Sequence, residues 1–304
     1  MRVISSTVMG NCFGANVLAS SCIHAYTAVL CALASRISLM TASSPKCLVL
    51  LLLSLVVSPT AYAAPMADEI RTISVIADSS LALPVTKIIQ QYSTDKHQAV
   101  VASYVPVNQQ EEAVLEGVGY DVLITARPKI LEELKQQGLV DIYTESEVAK
   151  NRLVLAASDK SDFQASLAKR FPLADIITKF NWQPGLVVGN PETLLEGSIA
   201  REALRNYGVI ADLEPYTMYE KDLPEIISMI REEGSLGLVY QSDAKNYQGL
   251  RVVDIVPEHT HRPITYIAVV LAGNRMEQSR EFVDYLTQRR SKNIFQKHDF
   301  SLPE

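Results

Sequence analysis

Ile73-Ser74-Val75-Ile76-Ala77-Asp78-Ser79-Ser80-Leu81 is a strand that turns directly into a helix. Residues 73–77 are an apolar run of strand length, and Leu81, Val85, Ile88, Ile89 and Tyr92 then recur at helical spacing. Ser80 stands where an N-cap is wanted. The unbonded N–H groups of a first helical turn, with the helix dipole, make that corner a natural seat for an anion, although capping alone is enough to account for a serine there. Pro84 is tolerated in the first turn, where few N–H groups are needed by the helix.

The same alternation continues outward. Residues 99–105 and 122–126 read as strands, with a helix at 109–115 between them. Pro128 opens a further helix that stops at Gly138. Beyond it the pattern predicts strands at 153–156, 186–188, 236–240, 252–255 and 264–271. Helices are expected at 163–180, interrupted at Pro172, and at 198–207. Another is expected along the stripe Leu223, Ile226, Ile227 and Ile230, and a last one from Met276 onward. Strands and helices in strict alternation predict α/β architecture with mostly parallel sheets covered by helices. There is no internal repeat and no low-complexity linker, so a second domain would be inserted in the first rather than appended to it.

The first 63 of the 304 residues differ from the rest. They hold Arg2, Arg36 and Lys46, no acid, and all four cysteines. Lys46, the uncharged run 47–57 and the small residues around Ala61 and Ala63 read as a signal peptide cleaved before Ala64, with Met40 as the natural start. No cysteine stands at the cleavage point, so a soluble, unlipidated exported protein is expected. The remaining 241 residues carry 25 basic and 34 acidic side chains and no cysteine. That composition excludes disulfides, thiolate metal sites and a cysteine nucleophile, and its acidic balance argues against nucleic acid as a partner.

Gly237-Leu238-Val239-Tyr240-Gln241-Ser242-Asp243-Ala244 repeats the motif of a strand end at a helix start. Ligands of open α/β sheets sit beyond the carboxyl ends of the strands, so Ser80 and Tyr240 are placed to face one crevice. Glu258-His259-Thr260-His261 brings two imidazoles and a carboxylate together, but the flanking Pro257 and Pro263 read as a solvated turn and no metal site is assigned. No nucleophile elbow, zinc-protease or P-loop spacing occurs, and no cofactor is called for.

These blocks, together with Val101-Ala-Ser-Tyr104, Tyr120-Asp-Val-Leu-Ile-Thr-Ala126, Val188-Gly-Asn-Pro-Glu192, Ala200-Arg-Glu-Ala-Leu204 and the closing Ile294-Phe-x-Lys-x-x-Phe300, resemble the periplasmic molybdate-binding proteins. Those are solute receptors of ABC importers. The resemblance implies a two-lobed type II periplasmic-binding-protein fold, with residues 70–157 and 260–304 in one lobe and 158–259 in the other. It further implies a monomer in the periplasm that closes on a molybdate- or tungstate-type oxyanion, presents it to an inner-membrane permease and catalyses nothing.

By that resemblance Ser80, with Ser79 beside it, and Tyr240 supply hydroxyls to the ligand. Val107 falls where the family has a second serine, leaving Asn108 as the nearest polar side chain. Glu196 and Asp222 fall at the remaining contacts. An ionised carboxylate about 4 Å from each charge of a dianion costs roughly 4 kcal/mol per charge at an effective dielectric of 20. A hydrogen bond to a charged group returns about 1.5 to 3 kcal/mol. Inward carboxylates at Glu196 and Asp222 therefore point to a different solute. They also keep open an exported enzyme using Asp78, Glu196 or Asp222 with His259 or His261, and a sensory module of the same fold.

Overall fold

The computed structural model describes residues 72–116, 119–180, 185–273 and 276–303. The leader read over residues 1–63 lies outside the described residues. The chain runs β1 (Ile73–Asp78), α1 (Ala82–Lys96), β2 (Val100–Val105), α2 (Val107–Leu115), β3 (Val122–Thr125), α3 (Pro128–Gln136), β4 (Val140–Asn151) and β5 (Leu153–Ser158). It continues through α4 (Leu173–Phe180), β6 (Leu186–Gly189), α5 (Leu195–Asn206), α6 (Ile210–Leu213), β7 (Thr217–Glu220), α7 (Leu223–Glu232), β8 (Leu236–Tyr240) and α8 (Gln241–Asn246). It ends with β9 (Leu250–Ile255), β10 (Ile264–Leu271), α9 (Met276–Leu286) and α10 (Arg289–Lys297).

These strands make two five-stranded sheets, in the orders β2-β1-β3-β10-β4 and β7-β6-β8-β5-β9. In each sheet four strands run in one direction, as sequence alternation predicts, and one runs against them: β10 is antiparallel to β3 and β4, and β5 to β8 and β9. The sheets are therefore mixed, with one reversed strand in each. The expected strand at 153–156 was grouped with the first lobe but pairs in the second sheet, as β5. The chain passes from one sheet to the other between Asn151 and Leu153 and returns between Ile255 and Ile264.

The central strands explain themselves. Val75, Ile76, Ala77, Val122, Leu123 and Ile124 have no exposed surface, as continuous apolar strands covered by helices on both faces require. Helix α1 lays Val85, Ile88 and Tyr92 on the first sheet, and the Tyr92 ring meets Phe282 edge-on at 5.0 Å and Tyr285 at 5.1 Å. These contacts hold the C-terminal helices on the N-terminal lobe.

Three expectations need correction. Only Leu173–Phe180 of the stretch 163–180 is helical. The segment before it is claimed by long-range bonds instead: Arg251 donates to the carbonyls of Ser161 and Phe163, and Leu167 N donates to Asp254 at 2.7 Å. Helix α5 begins at Leu195, one turn ahead of the expected 198. Strands β4 and β7 were not anticipated from the sequence.

The early start of α5 rests on a close backbone approach. A Cβ on Gly197 would lie 2.0 Å from the Gly189 carbonyl oxygen at the end of β6, so only glycine lets the first turn of α5 sit against that strand. Gly197→Ala should therefore lower the urea midpoint, corresponding to a loss of about 2 kcal/mol or more, because backbone must shift to admit the methyl group. Equal stability of this variant and the natural chain in urea denaturation would contradict that contact.

Candidate functional site

A cavity of about 550 Å³ opens where β1, β6 and β8 end. From the first sheet it is reached by Asp78, Ser79, Ser80 and the first turn of α1. From the second it is reached by Leu194 to Glu196, Lys221 to Pro224, and Asp243 to Tyr247. Three helix N-termini, those of α1, α5 and α7, thus converge on one hollow. Their unbonded N–H groups give it a positive bias.

Each of these corners already has an acid of its own. Asp78 Oδ1 accepts the Ser80 N–H at 2.9 Å and the Ser80 hydroxyl at 2.6 Å, so Asp78, not Ser80, caps this turn. Ser80 meets the Tyr266 hydroxyl at 2.7 Å, and Asn151 Nδ2 donates to Tyr266 at 3.4 Å and to Ser242 Oγ at 2.9 Å. With Ser80 donating to Asp78, its oxygen accepts from Tyr266, and the chain Asn151 to Tyr266 to Ser80 to Asp78 runs in one direction. Asp222 is the N-cap of α7 and accepts the Glu225 N–H at 3.0 Å. Glu196 occupies the first turn of α5, where its own N–H helps to hold it.

Asp243 differs from the others. It lines the cavity, is only 7% exposed, and its carboxyl group has no hydrogen-bond partner among the described residues. Tyr240 is 2% exposed, does not line the cavity, and its hydroxyl has no hydrogen-bond partner among the described residues. A buried polar group in that condition costs roughly 1–3 kcal/mol, a penalty that a bound partner would relieve.

Burial raises the acids together. Asp243 is pushed well above the ordinary carboxyl range, chiefly by loss of water and then by Glu196 and Asp78. Glu196 is pushed up to about 7, again mainly by burial, with Asp78 adding to it. Asp78 is raised as well, its bonds from Ser80 offsetting only part of the desolvation. Burial, followed by Tyr266 and the same three acids, drives the Tyr240 hydroxyl far up, so it is a neutral O–H donor at physiological pH. Carboxyl groups sharing so little water cannot all be ionised at once.

Four of the six residues assigned from sequence reach the cavity: Ser79, Ser80, Glu196 and Asp222. Tyr240 lies just behind its wall. Asn108 opens instead on a neighbouring pocket of about 90 Å³ with Arg127, Ser198 and Arg262. Asp243 lay inside the most specific sequence block and was passed over, although an acid in a helix's first turn at a strand end was legible. Asn151 and Tyr266 gave no local signal. His259 and His261 do not line the cavity, so the imidazole-assisted enzyme arrangement is not assembled. Among the described residues no group of three or more His, Cys, Asp or Glu is placed to hold a metal ion, and no helix is long and apolar enough to cross a membrane.

Residues 73–301 match the family described as bacterial extracellular solute-binding protein. The molybdate-binding protein ModA of Escherichia coli K12 is 30% identical over 243 residues, spanning 78% of this chain and 91% of that protein. Among solved structures, the Azotobacter vinelandii periplasmic molybdate-binding protein superposes with a TM-score of 0.64 at 17% identity, over 76% of this chain and 100% of that one. Iron-bound HitA from Pseudomonas aeruginosa does so with a TM-score of 0.56 at 14% identity, over 74% and 84% respectively. The chain belongs to the bacterial extracellular solute-binding proteins, in the periplasmic molybdate-binding family, and has their two-lobed α/β fold.

The raised acid has a consequence for stability. Glu196 binds its proton more tightly in the folded state, at about 7, than at its ordinary 4.5, so the fold loses stability as pH rises across that interval. Glu196 keeps part of its surface exposed to water, so at about pH 8 the loss is no more than about 3 kcal/mol. Glu196→Gln should then melt higher than the natural protein at about pH 8 and nearly the same at about pH 4, read by circular dichroism. A variant that melts lower at alkaline pH would contradict the burial of this carboxyl group.

Proposed function

We propose that the protein is the periplasmic receptor of an ABC importer, a monomer that binds a molybdate- or tungstate-type tetrahedral oxyanion between its two lobes and hands it to a membrane permease. On this reading the lobes meet at the crossings near Arg152 and residues 256–263, and closure about them encloses the ligand. Catalysis is not part of the role, since a receptor releases its solute unchanged.

The observation that carries the oxyanion is the convergence of three helix N-termini on a single cavity, beside the unpartnered hydroxyl of Tyr240. Oriented N–H groups and neutral O–H donors hold an anion without a buried cation, and so without the desolvation a cation would bring. Ser80 is assigned differently from the family pattern. Its hydroxyl is committed to Asp78 and Tyr266 and the Ala82 N–H to the Ser79 carbonyl, so Ser80 positions the turn, and the anion is left to the positive ends of the converging helices. The acid lining supports a second reading, a cationic or amine solute, and the two differ in the sign of the ligand's charge.

Titration calorimetry of the chain from Ala64 onward, against molybdate, tungstate, sulfate and small amines at mildly acidic pH, separates them. Molybdate or tungstate should bind and the amines should not. Tyr240→Phe, which deletes one O–H and little else, should weaken the oxyanion by about 1.5 to 3 kcal/mol, or roughly ten- to a hundredfold. Binding of an amine with no response to any oxyanion would replace this reading with the cationic one.

A further inference from the structure

We propose that the receptor binds protons together with its ligand: Glu196 and Asp243 enter the complex as neutral carboxyl groups whose O–H bonds point at the oxyanion. This deepens the oxyanion reading of the cavity and rests on it. Four geometric observations lead to it. Both side chains line the cavity. Asp243 is 7% exposed and has no donor among the described residues to stabilise a negative charge. Asp78, by contrast, is bonded to Ser80, and Asp222 caps α7 through the Glu225 N–H, so those two are turned onto their own turns. Finally, the neighbouring Tyr240 hydroxyl is buried and unpartnered, leaving it free to donate to a guest.

The surroundings of the pair fix the sign. Glu196 and Asp243 are faced by Asp78 from β1, by Asp222 from the cap of α7, and by the neutral phenols of Tyr240, Tyr247 and Tyr266. Lys221 lines the cavity as its single basic side chain, and it is exposed. Water is scarce around the pair, and burial already holds Asp243 well above the ordinary carboxyl range and Glu196 at about 7. A dianion placed among these groups raises both affinities for protons further, because a neutral carboxyl donates to it where a carboxylate repels it. As neutral acids the two residues add to the positive helix ends. As carboxylates they cancel them.

The mass balance is simple. Below about pH 7 the proton on Glu196 is already present and the anion binds without uptake there, whereas above it each complex takes one proton from solvent for every carboxylate that must be neutralised. Affinity should therefore fall about tenfold per pH unit, per required proton, once pH exceeds the free-state value. Calorimetry of molybdate binding between about pH 6 and 8, repeated in two buffers of different ionisation enthalpy, reads both the slope and the proton count. The expected result is net uptake approaching one proton at the alkaline end and weakening of roughly tenfold over the last unit. Glu196→Gln keeps an N–H donor but cannot ionise, and should flatten the profile while retaining near-acidic affinity at the alkaline end. Asp243→Asn, the second variant, cannot take up a proton and should lower the uptake counted at the alkaline end.

A flat or rising pH profile with molybdate bound, or proton release on binding, overturns proton coupling and leaves the oxyanion reading standing. Failure of molybdate, tungstate and sulfate at every pH, with a folded chain by circular dichroism, overturns both. A steep profile unchanged in Glu196→Gln and in Asp243→Asn also overturns the assignment to these two residues.

Discussion

Removing a carboxyl group from water without giving it a partner is among the more costly things a fold can do, and this fold does it at the cavity beyond its strand ends. The cost is moderated by placement. Asp78, Glu196, Asp222 and Asp243 all stand at strand ends where a helical turn begins, so each meets a favourable backbone field even where hydrogen bonds are missing. That field contributes about 0.3–1 kcal/mol per group, less than the burial of a charge costs. Burial therefore wins at Asp78, Glu196 and Asp243, whose carboxyl groups are raised and hold their protons more tightly.

The same geometry ties the two sheets together at the base of the cavity. Asn151 closes β4 in the first sheet, and its amide donates to Ser242 beyond β8 in the second and to Tyr266 on β10 in the first. Its side-chain oxygen accepts from the N–H of Arg152, the single residue of the crossing, at 2.9 Å. The Gln241 N–H, at the start of α8, donates to the Arg152 carbonyl at 2.8 Å. This network reaches the cavity lining through the bond between Tyr266 and Ser80. A change in the relative attitude of the lobes acts first on the bonds that link the two sheets here, Asn151 to Ser242 and the Gln241 N–H to the Arg152 carbonyl.

How much of this was readable depended on where the chain's own neighbours decided the outcome. β1, β3 and β8 were legible because strands covered on both faces are written as unbroken apolar runs, and α7 because Leu223, Ile226, Ile227 and Ile230 repeat at one spacing. β4 was not. Its middle, Tyr143-Thr144-Glu145-Ser146-Glu147, alternates polar residues along a sheet edge, and its partner β10 lies more than a hundred positions away. The stretch before α4 failed for a related reason: helical spacing was present, but Arg251 and Asp254 from β9 captured its backbone. At the site, Glu196 and Asp222 were legible as departures because they replaced expected contacts. Asp243 was passed over because it agrees with the block that carries the resemblance. The network through Asn151 and Tyr266 is assembled from three distant segments, and no spacing announces it.

Ser80 shows how a site can keep a residue and change its work. Where a serine at this turn has a small apolar neighbour, its hydroxyl is free to turn to a ligand. Here Asp78 precedes it by two positions and takes both its N–H and its O–H. Asp78 thus takes a donor from the cavity and brings a carboxyl group beside it, two interactions in the same direction. Such a change is tolerable for an anion receptor only if donors are restored elsewhere. Among the described residues, the groups in position to restore them are the neutral acids at Glu196 and Asp243 and the free phenol of Tyr240. The charge state of two carboxyl groups, rather than the count of hydroxyls, then decides what this cleft can hold.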